Sequence, residues 1–128
     1  MTRGPIPKRT FADICAIATK RGTLTWFDLS ARDSALFAIF TFDLVSIVGV
    51  RRTKRLRACP EEILREFAGT IAELKSAVLT GQVIRELWLC SYNGGWRFFQ
   101  LVGGDLAELD RDGRPVGRPC IAPSKTWS

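Results

Sequence analysis

Hydrophobic positions change their spacing several times along the chain, and each change marks an element. Phe11, Ile14, Cys15, Ile17 and Ala18 fall on one face of a helix with 3.6 residues per turn. Thr10 is placed to cap it, with Asp13 three positions on as a weak capping box. Lys20 and Arg21 suit the negative end of the dipole, and Gly22 supplies the stop, so a helix is expected over 10–21. Residues 23–31 are rich in strand formers, and Arg32-Asp33-Ser34 reads as a turn. From Ala35 to Val50 only Thr41, Asp43 and Ser46 interrupt an apolar run. Sixteen residues in one strand would span about 53 Å, far beyond the usual ~17–20 Å, so the run must fold back, and Asp43 is the natural break. The pattern predicts strands at 35–42 and 44–52. Both are apolar on each face, as in central strands covered by helices on both sides. A buried helix over part of 34–50 is the rival, opposed in its second half by the β-branched Val45, Ile47, Val48 and Val50. The run is also too short for a ~20-residue membrane span, and its central carboxylate would cost about 2.5–3.5 kcal/mol on insertion scales.

Pro60 suits the first position of a helix, and Glu61 and Glu62 complement its dipole. Ile63, Phe67, Ile71, Leu74 and Val78 then step by four, four, three and four residues. That predicts one amphipathic helix of five turns, weakened at Gly69 and ended by Gly81. Residues 86–92 and 96–102 read as strands joined over Asn93-Gly94, a favoured pair for a tight hairpin. Gly103-Gly104 breaks the second strand, and 106–109 and 114–116 can form a small hairpin over Asp112-Gly113. The expected architecture is a single α/β domain over 1–128, in the order α-β-β-β-α-β-β, with helices packed on a mixed sheet. Residues 1–8 form an arm, 9–102 the core, and 103–128 a hairpin and an irregular tail.

Composition narrows the chemistry. The 128 residues suffice for one domain with its own core. With no histidine, Ser-His-Asp and Cys-His catalysis and all His-containing metal sites are excluded. Cys15, Cys59, Cys90 and Cys120 form no CxxC pair, which argues against a zinc knuckle or a thioredoxin-type site. No long apolar run precedes Cys15, so reduced, mostly buried thiols in a cytoplasmic protein are expected. The net charge of +6 is uneven: residues 1–58 carry eleven basic and four acidic groups, residues 59–128 eight and nine.

The excess peaks at Arg51, Arg52, Lys54, Arg55 and Arg57, five cations in seven residues. A solvated strand-to-helix loop explains a few such charges. Five, in a half that is already basic, favour phosphate binding, and Lys8 and Arg9 extend the patch if the first helix lies nearby. Five phosphate contacts imply a log–log salt slope of roughly −4 to −5. Trp26, Trp88 and Trp96 are read as core before base-stacking platforms. Glu61, Glu62, Glu66 and Glu73 are read as helix-surface charges, not as an acid/base pair.

Three segments resemble the PD-(D/E)XK, or restriction-endonuclease-like, superfamily, and within it the archaeal Holliday-junction-resolvase-like proteins. Trp26-Phe27-Asp28-Leu29-Ser30-Ala31 resembles the strand bearing the first metal-binding Asp, and Phe42-Asp43-Leu44-Val45-Ser46-Ile47 resembles it equally well. Ile47-Val48-Gly49-Val50-Arg51-Arg52-Thr53-Lys54 resembles the strand with the acidic-x-Lys motif. Arg85-Glu86-Leu87-Trp88-Leu89 resembles a later strand. The similarity spans residues 10–102 and implies a nuclease-type fold, DNA as partner, a homodimer, and Asp28 or Asp43 as catalytic carboxylate with Asp28 as metal ligand. Asp28 is preferred, because it lies 21 residues before Gly49, which leaves room for a hairpin.

The chain departs from the pattern where it matters. Gly49 stands in place of the acidic residue and Arg51 in place of the lysine. Glycine offers no side-chain ligand, and arginine does not exchange protons near neutrality. Hydrolysis around Mg²⁺ needs at least two carboxylates. The expectation is therefore nucleic-acid binding, with DNA as the expected form, by sequence-independent phosphate contacts and with catalysis lost or reduced. Two rivals stand beside it. One is an active Mg²⁺-dependent endonuclease that draws its missing carboxylate from Asp33, Asp43 or Glu86. The other is a non-enzymatic structural or partner-binding protein whose basic patch meets an acidic protein or a membrane surface. No small-molecule cofactor is expected, and Mg²⁺ only if the protein is active.

Overall fold

The computed structural model describes residues 8–28, 34–76 and 82–116. Helix α1 (Lys8–Thr19) precedes a meander of β1 (Thr23–Asp28), β2 (Ser34–Phe40) and β3 (Val45–Thr53). Helices α2 (Pro60–Glu66) and α3 (Ala68–Ser76) cross over to β4 (Val83–Ser91), which β5 (Trp96–Val102) and β6 (Asp105–Leu109) follow. The strands form one mixed sheet in chain order, antiparallel throughout except for the parallel β3–β4 pair that the helical crossover requires. The result is a small single α/β domain with α1 on one face of the sheet and α2–α3 on the other.

The apolar run does fold back at Asp43. A tight turn, closed by the Thr41 N–H donating to the Leu44 carbonyl at 3.0 Å, sets Phe40 opposite Val45. Because both faces are covered, alternate residues of β3 enter different cores. Val48 and Val50 meet Ile14, Ile17 and Ala18 of α1, whereas Ile47 meets Ile63, Phe67, Ile71 and Leu74. Trp88 sits at the centre of the α1-side core, edge-on to Phe37 and Phe98 at ring-centroid distances of 5.3 and 5.1 Å.

Four expectations are corrected. The five-turn helix is two helices, broken at Phe67 (φ −108°, ψ 28°), two residues ahead of the Gly69 weak point. Residues 77–81, with Val78 and the expected stop at Gly81, lie outside the described residues. The link over Asn93-Gly94 is a three-residue loop. Gly94 adopts φ +102° and donates to the Ser91 carbonyl, while Ser91 and Gly95 keep a backbone bond of 2.8 Å. The Ser91 hydroxyl accepts the Gly95 N–H at 2.7 Å, which favours the wider loop. Residues 105–109 are a sixth strand of the main sheet, and the turn through Gly113 brings Pro115 back beside Leu109. Of the cysteines, Cys15, Cys59 and Cys90 are free thiols, but only Cys90 is buried, so the expectation of mostly buried thiols fails for these three. Cys120, the arm at 1–7, the Arg32-Asp33 turn and the tail lie outside the described residues. Among the described residues no helix is long and apolar enough to cross a membrane.

Candidate functional site

The resemblance placed a metal centre beside Gly49. The backbone row through that point runs Asp28, Leu36, Gly49, Leu87, Phe99, one residue from each of β1 to β5. Asp28 thus stands two strands from Gly49, about 10 Å by the ordinary strand spacing. It follows an irregularity in the β1–β2 register between Trp26 and Asp28. Asp43 is exposed in the β2–β3 turn, six residues before Gly49 on an extended chain, and so about 20 Å away. Gly49 itself lies beneath α3. A methyl group there would stand 3.1 Å from the Thr70 methyl and 3.4 Å from Leu74. The position that would carry the acidic ligand is core, and Asp43 is remote from it. Among the described residues no three Asp, Glu or Cys side chains gather as a metal site would require.

Glu86, the other candidate carboxylate, is already committed. It is buried, takes two contacts from Arg21 Nη1 at 2.9 and 3.1 Å, and accepts the Trp88 indole N–H at 2.8 Å. The Arg21 guanidinium lies over the Trp88 ring and reaches the Arg111 carbonyl. This pair ties the end of α1 to β4, and its carboxylate oxygens hold protein donors. Asp33 lies outside the described residues.

The basic run is divided by strand alternation. Arg51 points to the α2–α3 face, donates to Thr70 Oγ1 at 2.8 Å and lies 5.3 Å from the Phe67 ring centroid. Arg52 points to the α1 face, its guanidinium 4.0 Å from the centroid of the half-exposed Tyr92 ring. Arg55 pairs with Glu62 at 2.9 Å on the surface. Glu62 also accepts the Cys59 N–H at 3.3 Å, and this backbone bond, with Arg55 behind it, lowers its carboxyl pKa below the usual value. Lys54 and Arg57 are exposed. The loop that carries them is anchored by a residue outside the run. Arg97 Nη1 donates to the Leu56 and Ala58 carbonyls at 2.9 and 2.6 Å, while its Nε holds Glu108 at 3.0 Å.

At the carboxyl ends of the parallel β3–β4 pair, a recess of about 90 Å³ is walled by Arg9, Thr10 and Asp13 of α1, by Arg52 and Cys90 from the sheet, and by the β4–β5 loop and Trp96. Arg9 reaches the loop, its guanidinium 3.2 Å from where a Cβ on Gly94 would stand. Asp13 accepts the Trp96 indole N–H at 3.3 Å. This end of the sheet therefore gathers Arg9, Arg52, Lys54, Arg55 and Arg57. Arg9 joins the patch as expected of a nearby first helix. Tyr92 and Arg97 are neighbours of this patch that a count of charges does not find. Tyr92 is marked only by being an aromatic in a hairpin loop, and Arg97 only by being a cation within an otherwise apolar strand. Trp96 lines the recess from a half-buried position, and Trp88 is core. Comparison of the chain with protein-family models, with curated proteins and with solved structures gives no match.

Proposed function

We propose that this protein binds nucleic acid, with DNA as the expected form, at the carboxyl end of the β3–β4 pair and without the hydrolytic chemistry of the nucleases it resembles. The observation that carries the reading is the convergence of cations from separate segments on that end: Arg9 from α1, Arg52 from β3, and Lys54 and Arg57 from a loop held by Arg97. Ligands of open α/β sheets bind beyond the carboxyl ends of parallel strands. Guanidinium and ammonium groups supply phosphate contacts there without reading sequence. The three-strand meander followed by a helical crossover to a parallel strand supports a restriction-endonuclease-like fold. The covered Gly49 and the pairing of Glu86 with Arg21 speak for binding without cleavage. A homodimer, implied by the same resemblance, belongs to this proposal.

The test is fluorescence anisotropy with labelled duplex and single-stranded oligonucleotides at low and physiological salt. Replacing Arg52, Lys54 and Arg57 together with Gln is expected to lower affinity at least tenfold at low salt, since each contact releases counterions. Unchanged affinity in that folded variant would exclude the reading. Mg²⁺-dependent cleavage that survives the triple substitution would return the nuclease alternative.

A further inference from the structure

We propose that the form of nucleic acid taken at this end of the sheet is a single strand, with one base stacked on Tyr92 and the adjoining phosphates on Lys54 and Arg57. The inference rests on the nucleic-acid reading above and names the substrate class within it. Strands β3 and β4 end level with each other, Thr53 beside Ser91. The residues that follow, Lys54 and Tyr92, therefore leave the sheet side by side, with one strand spacing of ~4.8 Å between their backbones. A cation and an aromatic ring placed in this way match a phosphate and a base of one strand. Lys54 and Arg57 are exposed, and among the described residues neither has an ion-pair partner. The Tyr92 ring is half exposed. The Arg52 guanidinium covers one face at 4.0 Å from the centroid, and among the described residues the ring and its hydroxyl have no other partner. That leaves the other face for a base. The ring also stands on a firm mount. The Ser91 hydroxyl and carbonyl close the loop on Gly95 and Gly94, and a Cβ on Gly95 would stand 2.8 Å from Leu56, so the loop packs directly on the one that carries Lys54 and Arg57. Ring and cations are thus fixed relative to each other before any ligand arrives, and little ordering is left for binding to do. In a duplex the base faces are covered by their neighbours, and a side chain reaches them only by unstacking a step. A single strand presents them without that cost, and stacking of this kind tolerates any base.

The experiment compares three probes of equal length at one salt concentration: a short oligothymidylate, a strand of abasic sites with the same phosphates, and a duplex. Oligothymidylate is expected to bind about tenfold more tightly than the abasic strand, the size of one base–aromatic stack, and more tightly than the duplex. Tyr92→Phe is expected to keep the ratio of oligothymidylate to abasic affinity, and Tyr92→Leu to bring it close to one. Lys54→Gln with Arg57→Gln weakens all three probes and leaves that ratio unchanged, which separates the base contact from the phosphate contacts. A strand carrying 5-bromouracil is expected to crosslink on irradiation to the peptide that contains Tyr92. A wild-type ratio near one, a ratio that Tyr92→Leu does not change, or a duplex bound as tightly as oligothymidylate overturns the single-strand inference. If binding in those cases still depends on Lys54 and Arg57, the nucleic-acid reading stands. Failure of every probe to bind overturns both.

Discussion

Gly49 shows how a single residue decides between ligand site and core. The nuclease resemblance calls for a carboxylate where the sequence has glycine, and the fold bears on what restoring one would do. The row it occupies is closed by Thr70 and Leu74, with a Cβ already at close contact distance. A glutamate there would be forced against the Thr70 methyl and Leu74, and Arg51, two residues on along the same face, is already engaged by Thr70. Gly49→Glu is therefore expected to destabilise the protein by about 1–3 kcal/mol, the scale of overpacking a filled core, and to confer no Mg²⁺-dependent cleavage. Urea unfolding measures the first and a plasmid-nicking assay the second. Near-native stability would mean that the space under α3 opens more easily than its packing implies. Arg51 makes the same point from the other side. Placed where a catalytic lysine would be, it is engaged by Thr70 and the Phe67 ring.

Among the elements, those with strong periodicity were legible, and the joints between them were not. The fold-back at Asp43 follows from strand length alone, and the crossover from the apolar stripe of Ile63, Phe67 and Ile71. The break at Phe67 was hidden, because that stripe runs straight through it and only Gly69 hints at weakness. The basic loop illustrates a further limit. Its charges are visible in the sequence, but its anchor lies about forty residues further on. Arg97 alternates with Phe98, whose side chain belongs to the α1 core, and so projects to the opposite face, where it collects two carbonyls of the 54–59 segment. Arg97→Met, which keeps much of the aliphatic stem and removes the donors, is expected to speed amide hydrogen exchange across 54–58 and lower nucleic-acid affinity severalfold while the protein stays folded. Unchanged exchange in that segment would show that Thr53, Leu56 and the neighbouring turn hold the loop without it.

Across the whole molecule, charge counted along the chain and charge counted in space give different numbers, and the difference is measurable. The run from Arg51 to Arg57 reads as five phosphate contacts. In the fold, Arg51 is turned beneath α2–α3 and Arg55 is paired with Glu62, while Arg9 is brought in from α1. On the proposed reading, the phosphate contacts come from Arg9, Arg52, Lys54 and Arg57. Each neutralised phosphate contributes about 0.9 to the log–log salt slope on duplex DNA and about 0.7 on a single strand. Four contacts give about −3.6 and −2.8, against about −4.5 for five on a duplex. The substitutions divide in the same way. Arg52→Gln, Lys54→Gln and Arg57→Gln are each expected to make the duplex slope shallower by about one. Arg51→Gln is expected to leave it unchanged and instead to lower the unfolding midpoint, because the Thr70 hydroxyl loses its donor and the Phe67 ring its cation. Titration of the wild type and these four variants from low to physiological salt separates the two counts. A slope that becomes shallower with Arg51→Gln would mean that this guanidinium leaves Thr70 for the nucleic acid, so that α3 moves when the ligand binds.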